Sequence, residues 1–456
     1  MRHFISKSMA VLFTVMTLTC CKSGTQTTDA DNTPQTTSAG QPDAAHSDPN
    51  VIGWMKGFPP APDKTVYSAD GSYFSFPALR YSVNHMREFY PTRDVPASQD
   101  LRYSVETAID KGLEELTFTP WDTDTTITFS RWLDLNYTDG LIIMHRGRIV
   151  YENYFGGLTP EGQHAAMSVS KSFTGTLGAI LACEGVIDPG KLVTDYIPEM
   201  KGSGYEGATV RQVMDMTTAI KYSEDYDDPN AEIWEYSAAG NVFRGPDYKG
   251  PKNYYEYLPT LKKLPGAEHG ETFGYKTVNT ELLGWIISRA TGKSIAQLVS
   301  ERIWKPLGAH WNGYYQVDPA GITFAGGGFS LNLRDMAMFG EMIRCGGRLG
   351  GRQVIPAAAV EDIRTGGSTP ESIEAFARGT YTRLKGWSYR DMWWITNNAH
   401  GAFMARGVYG QAIYIDPAAE MVIARFASNF KASNTHIDPI SLPAYEAIAE
   451  YLMGKQ

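Results

Sequence analysis

The sequence predicts an α/β protein, on three observations. Alternating, β-branched segments mark strands in two regions far apart, 139–156 and 403–426. Between them, apolar residues at helical spacing run through 167–185 and again through 333–344. The chain has 456 residues, 43% of them hydrophobic, so it can bury one large core and still carry extensions.

Taken in order, residues 1–21 read as a secretion signal. Arg2, His3 and Lys7 precede an apolar segment, 9–18, too short to span a bilayer. It ends in Leu18-Thr-Cys20-Cys21, which resembles a bacterial lipobox with Cys21 as the lipidated residue. Cys20 is the alternative, and ordinary secretory cleavage nearby is a third reading. Each makes the chain an exported protein, and lipidation would anchor it to a membrane, with the periplasmic side expected. Residues 22–50 are rich in Thr, Ser, Asp, Gln and Pro and read as a flexible, disordered tether. The aromatic, proline-bearing stretch 51–138 reads as an N-terminal extension packed on a main domain spanning 139–456. After processing only Cys183 and Cys345 remain, which fits either one disulfide or two free buried thiols.

A net charge of −9 and a pI near 5.6, with no basic stripe, argue against a nucleic-acid partner. No cofactor is expected: no GxGxxG opens a strand-and-helix unit, and no His-Glu-x-x-His or other metal-ligand cluster occurs. The sequence leaves the oligomeric state open.

The stretch 139–156 reads as a β-hairpin turning at Arg146-Gly147. His164, four residues before Ser168, reads as a structural histidine. Chemistry concentrates at Met167-Ser168-Val-Ser-Lys171. At the head of a helix, residues three apart share a face, which sets the Lys171 amine beside the Ser168 hydroxyl. A serine hydroxyl needs such a neighbour to act as a nucleophile, and a helix N-terminus adds N–H groups where an oxyanion would form. Val169, Phe173, Leu177, Ile180 and Leu181 are spaced for burial, Gly175 and Gly178 allow close packing, and Gly185 fits a helix stop.

The longer string SVSKSFTG resembles the nucleophile segment of the class C β-lactamase-related serine hydrolases, the penicillin-binding-protein-like family. Two further stretches resemble that family in the same order. Gly270-Glu-Thr-Phe-Gly-Tyr275-Lys-Thr277 is similar to its Gly-x-x-Phe-x-Tyr-x-Asn/Ser segment. Ala405-Arg406-Gly407 stands where it has Lys/His-Thr/Ser-Gly. GYKTVNTELLGW and GVYGQAIYIDP are closest to the aminohexanoate-dimer hydrolases. The resemblance covers 139–456 and implies a β-lactamase-like α+β sandwich: an antiparallel sheet built from both chain ends, flanked by helices, with an inserted all-helical subdomain.

It also implies a serine hydrolase that cleaves an ester or amide of a small molecule through an acyl-enzyme. Ser168 is the nucleophile, Lys171 and Tyr275 the proton-transfer partners, and the N–H groups of Ser168 and Val408 the oxyanion hole. A nearby Lys171 ammonium would favour the Tyr275 phenolate. Thr277, Tyr222, Arg406, Gly407 and Tyr409 are candidate substrate-binding residues. The acidic, aromatic run 222–226 is placed to favour a substrate ammonium group, and Trp393-Trp394 to shape an acyl pocket. No cation stands at position 405, which argues against the alternative of a β-lactamase or D,D-peptidase. A catalytically inactive binding module of the same fold is the other alternative. Asn332 or Ser330 is expected to cap the amphipathic helix that follows the glycines at 326–328, 403–416 to form one strand, and a final helix to run over 443–453.

Overall fold

The structure is a computed structural model that describes residues 40–245 and 247–455; the stretch read as a secretion signal, with Cys20 and Cys21, and the stretch read as a tether up to residue 39 lie outside the described residues. Strand β1 (Thr138–His145) turns through Arg146 and Gly147, at φ 51° and 77°, into β2 (Arg148–Tyr154). Two successive left-handed residues make a hairpin turn whose twist suits the flanking strands, and glycine takes that conformation without strain. Five more strands come from the other end of the chain: β3 (Ser388–Arg390), β4 (Trp393–Ile395), β5 (Phe403–Gly407), β6 (Gln411–Asp416) and β7 (Met421–Ala427). They join one antiparallel sheet in the order β3-β4-β5-β6-β7-β1-β2. The two chain ends therefore meet at β7 and β1, where Met421 faces His145 and Arg425 faces Leu141.

The expected single strand over 403–416 is two strands. Tyr409 takes φ 65° and the chain reverses through Val408–Gly410, leaving Gly407 opposite Gln411. The correction matters because it puts Val408 and Tyr409 on a turn at the sheet's end.

Helices α1 (Val169–Cys183) and α3 (Leu333–Arg344) cover one face. Asn332 caps α3, its side chain accepting from the Arg334 N–H at 3.0 Å, and Met336, Phe339, Met342 and Ile343 are buried as the stripe requires. Gly340 lies so near the sheet that a Cβ there would sit 2.7 Å from Val422 Cγ1. The opposite face is covered by α4 (Asp438–Met453), with the Tyr445 and Tyr414 rings 5.0 Å apart. This helix begins five residues earlier than expected, with Pro443 inside it. The ring deprives the Pro439 carbonyl of its helical donor, and the Trp121 N–H replaces it at 2.8 Å. Between α1 and α3 lies the helical subdomain, with Val210–Met214, Glu232–Gly240, Tyr254–Tyr257 and α2 (Thr277–Thr291).

The extension packs on this body. Val66, Leu79, Val83, Met86 and Phe89 form a second small core with Met167 and Tyr314. Residues 42–50, assigned by composition to the tether, are docked too. Ser47 is fully buried and accepts from Arg80 Nη1 at 2.9 Å, and the Tyr137 hydroxyl donates to the Pro42 carbonyl at 2.9 Å. Arg80 pairs with Asp139 at 3.0 Å, whose other oxygen meets His164 Nε2 at 3.2 Å, so His164 belongs to a buried structural network. Cys183 and Cys345 are both free, and Cys183, in the last turn of α1, is exposed. Among the described residues no helix is long and apolar enough to cross a membrane.

Candidate active site

Ser168 occupies the N-cap of α1, just after Met167 at φ 47°. A left-handed methionine is strained backbone, of the kind that persists where the surroundings hold it, and it delivers the serine at the helix mouth. Lys171 Nζ donates to Ser168 Oγ at 2.9 Å and to the Gly326 carbonyl at 2.6 Å. Lys171 is 1% exposed, and burial pulls its amine down to about 8, against the opposing charges of Glu224 and Glu281. α1 is held rigidly: Gly175 approaches Asp391 so closely that a Cβ would meet its carbonyl oxygen at 2.0 Å, and Thr174 Oγ1 donates to the Ala325 carbonyl at 3.0 Å.

Tyr275 arrives just before α2. Its hydroxyl is adjacent to that of Ser168, and the Lys171 amine lies 5.1 Å from its ring centroid, over the ring face. The expected phenolate does not follow. Burial first, and then the Glu224 charge, push the hydroxyl well above its ordinary value, and the Ser168 contact pulls it only part of the way back. Trp394 stacks on Tyr275 at 5.4 Å, whereas Trp393 turns into the core and donates to Thr176 Oγ1 at 3.1 Å. The two tryptophans thus divide between site wall and packing.

Ala405 is fully buried on the α1 side of β5. Arg406, on the opposite side, lies 4.8 Å from the Trp394 ring centroid and is bonded to Asp438 through Nη2, with Nη1 left unpartnered. Its charge is matched by a residue 32 positions away, and it sits behind the aromatic wall that Trp394 forms beside Tyr275. Gly407 touches the nucleophile segment: a Cβ there would lie 2.8 Å from the Ala166 carbonyl. Val408 and Tyr409, both half-buried, follow at the turn, and Phe74 of the extension stacks on Tyr409 at 6.5 Å.

An acidic wall completes the site. Glu224 accepts the Thr277 N–H at the start of α2, and burial pushes its carboxyl up, opposed chiefly by Lys171. Tyr222 and Tyr226 flank it in the sequence, both half-buried. Thr277 is 3% exposed and packs against Gly326. Sequence reasoning passed over Lys276 and Glu281. Lys276 Nζ donates to the Thr218 carbonyl at 3.1 Å, and burial lowers its amine to about 8. Glu281 Oε1 accepts from the Gly326 N–H at 2.7 Å, and burial raises its carboxyl to about 7. The available signal was an acid one turn past Thr277, directly before the apolar run 282–287 of the same helix.

Residues 138–440 match the family model described as Beta-lactamase. The 6-aminohexanoate-dimer hydrolase of Paenarthrobacter ureafaciens is 38% identical over 303 residues, 65% of this chain and 74% of that protein. A proposed 6-aminohexanoate-dimer hydrolase of Bacillus anthracis superposes with a TM-score of 0.75 at 34% identity, covering 86% of this chain and 98% of that one. EstCE1, a hydrolase with promiscuous acyltransferase activity, shares the fold at a TM-score of 0.54 and 16% identity, over 70% of this chain and 96% of its own. With the family motifs, the fold and the buried Ser168–Lys171 pair in agreement, the chain belongs to the beta-lactamase family, as a serine hydrolase.

Proposed function

We propose that the chain is an exported hydrolase that opens a small amide or ester through an acyl-enzyme on Ser168. The observation that carries this is the 2.9 Å contact between Ser168 Oγ and a buried Lys171 amine drawn down to about 8. Once neutral, that amine accepts the serine proton as Oγ attacks the carbonyl. Tyr275, a neutral phenol beside Ser168, hands a proton to the leaving nitrogen or oxygen and recovers it through Lys171. The Ser168 and Val408 N–H groups, with the α1 N-terminus behind them, hold the oxyanion, and water then releases the acyl group. Tyr222, Glu224, Tyr226 and Tyr409 favour a substrate bearing an ammonium group. That chemistry suits an aminoalkanoate amide such as the one in the name of the Paenarthrobacter relative. A penicillin-recognising enzyme is disfavoured, because Ala405 carries no charge and Arg406 is matched by Asp438. Lipidation at Cys21 would hold the enzyme at the membrane.

The test is Ser168→Ala against the parent with a fluorophosphonate probe, nitrophenyl esters, aminohexanoate dimers and nitrocefin. Labelling should vanish and kcat fall by at least about 10³-fold. Undiminished labelling of the variant contradicts the assignment.

A further inference from the structure

The Lys171 amine is held by a carbonyl of the 325–327 loop, and the peptides just before that carbonyl are held by Glu281. Lys171 Nζ donates to the Gly326 carbonyl at 2.6 Å, while the N–H groups of Gly326 and Ala325 point away from the site to Glu281, at 2.7 and 3.3 Å. The same loop is gripped from the nucleophile helix, where Thr174 Oγ1 donates to the Ala325 carbonyl at 3.0 Å. There is no slack on the α2 side: a Cβ at Gly326 would lie 2.7 Å from Thr277 Cγ2 and 3.0 Å from Glu281 Oε1. Glu281 is 1% exposed, and its neighbours are Lys171 and four phenols, those of Tyr236, Tyr254, Tyr255 and Tyr315. A cavity of about 260 Å³ opens behind α2, lined by Tyr255, Ser288, Lys293, Ile322 and Thr323, with Glu281 in its wall.

We propose that Glu281 is a positioning residue for catalysis, an anion that clamps the 325–326 peptide so that the Gly326 carbonyl orients the Lys171 amine toward Ser168. The inference rests on Lys171 as general base. An ionised Glu281 accepts both N–H groups, which a neutral side chain of the same shape does not, because its amide nitrogen is itself a donor. Its negative charge also favours the Lys171 ammonium, as does that of Glu224. Removing the Glu281 charge alone should therefore move the pH at which the base becomes active downward, since the remaining ammonium loses a stabilising neighbour.

The experiment measures kcat and KM against pH on a nitrophenyl ester for the parent, E281Q and E281D, with fluorophosphonate labelling of each. Parent labelling that Ser168→Ala leaves intact would sink the serine assignment itself, independently of Glu281. With that assignment standing, E281Q should lower plateau kcat by about tenfold, leave KM within about twofold, and bring the rising limb down by about half a pH unit or more. E281D keeps the charge and withdraws the oxygens by one methylene, so it should lose kcat with the midpoint unmoved, which keeps the proposal testable should E281Q misfold. E281Q with parental kcat and midpoint, or with lowered kcat at an unmoved midpoint, overturns it, as does an E281D with parental kcat.

Discussion

Around Asp391, five charged side chains meet as ion pairs. Arg211 reaches Asp362 at 2.9 Å, Asp215 at 3.3 Å and Asp391 as well, and Arg390 reaches Asp215 and Asp362, each at 2.9 Å. Around Lys171 four charged side chains are buried on other terms. Lys171 donates to a hydroxyl and a carbonyl, Lys276 to carbonyls, and Glu224 and Glu281 accept from backbone N–H groups. Burial moves all four of these toward neutrality: both amines down to about 8, Glu281 up to about 7, and Glu224 up. The first cluster ties strand β3 to the helices beneath it; there Arg211 and Arg390 hold the Asp362 carboxyl below its ordinary value against burial, and only the fully buried Asp391 is lifted, to about 7. In the proposed mechanism the second passes protons, and holding its groups by neutral dipoles leaves their charge easy to gain or lose.

The largest test of that contrast is Lys171→Met. Loss of the base should reduce kcat/KM by about 10³-fold, yet the protein should gain stability near neutral pH. The sign follows from the depressed amine. The folded state releases its proton near 8 and the unfolded chain near the ordinary 10.5, so between these values the unfolded state binds more protons and stability rises with pH. Below 8 the full penalty of a buried ammonium is present, and methionine removes it, worth on the order of 3 kcal/mol. Melting temperatures at pH 7 and pH 10.5 should show the variant's advantage at the first and little at the second. In the parent, kcat/KM should climb with pH to a plateau above about 8. A flat profile, or a destabilised methionine variant, would remove the distinction between the two clusters.

Arg211→Met should act in the opposite sense. It strands the fully buried Asp391 and weakens the hold on Asp215 and Asp362, so stability should fall by about 3 kcal/mol. The molecules still folded should keep kcat within about twofold, because the ion pairs of that cluster do not include Ser168, Lys171 or Tyr275. Chemical denaturation and active-site titration together separate the two effects.

What the sequence made visible follows the same division. SVSKSFTG exposed the Ser168–Lys171 pair because both lie within one helical turn, and the hairpin at Arg146-Gly147 and the stripe of α3 are likewise local. Arg406 and Asp438 are 32 residues apart and meet only through the packing of α4 on the sheet. Glu281 looks like an ordinary helix residue until the loop at 325–326 folds against it. The break at Tyr409 was hidden by continuous β-branched alternation, although Gly407 and Gly410 on either side hinted at a turn. Polar composition misled at 42–50, where hydrogen bonds to Arg80 and Tyr137 do what an apolar anchor would otherwise do.

The smallest expected effect probes the boundary between the clamp and the cleft. Thr277 occupies the place where relatives of this motif carry Asn or Ser, yet its side chain is buried and its methyl faces Gly326. Thr277→Ser keeps the hydroxyl and deletes only that methyl. The small void beside Gly326 should cost about 0.5–1 kcal/mol of stability. Because Glu281 and Thr174 still hold the peptide, kcat should change by no more than about threefold, with KM unaltered. A large rise in KM would put Thr277 in contact with substrate. A large fall in kcat at constant KM would instead mean that the clamp depends on the methyl as much as on the carboxylate, and the orientation of Lys171 would then be a matter of packing rather than of charge.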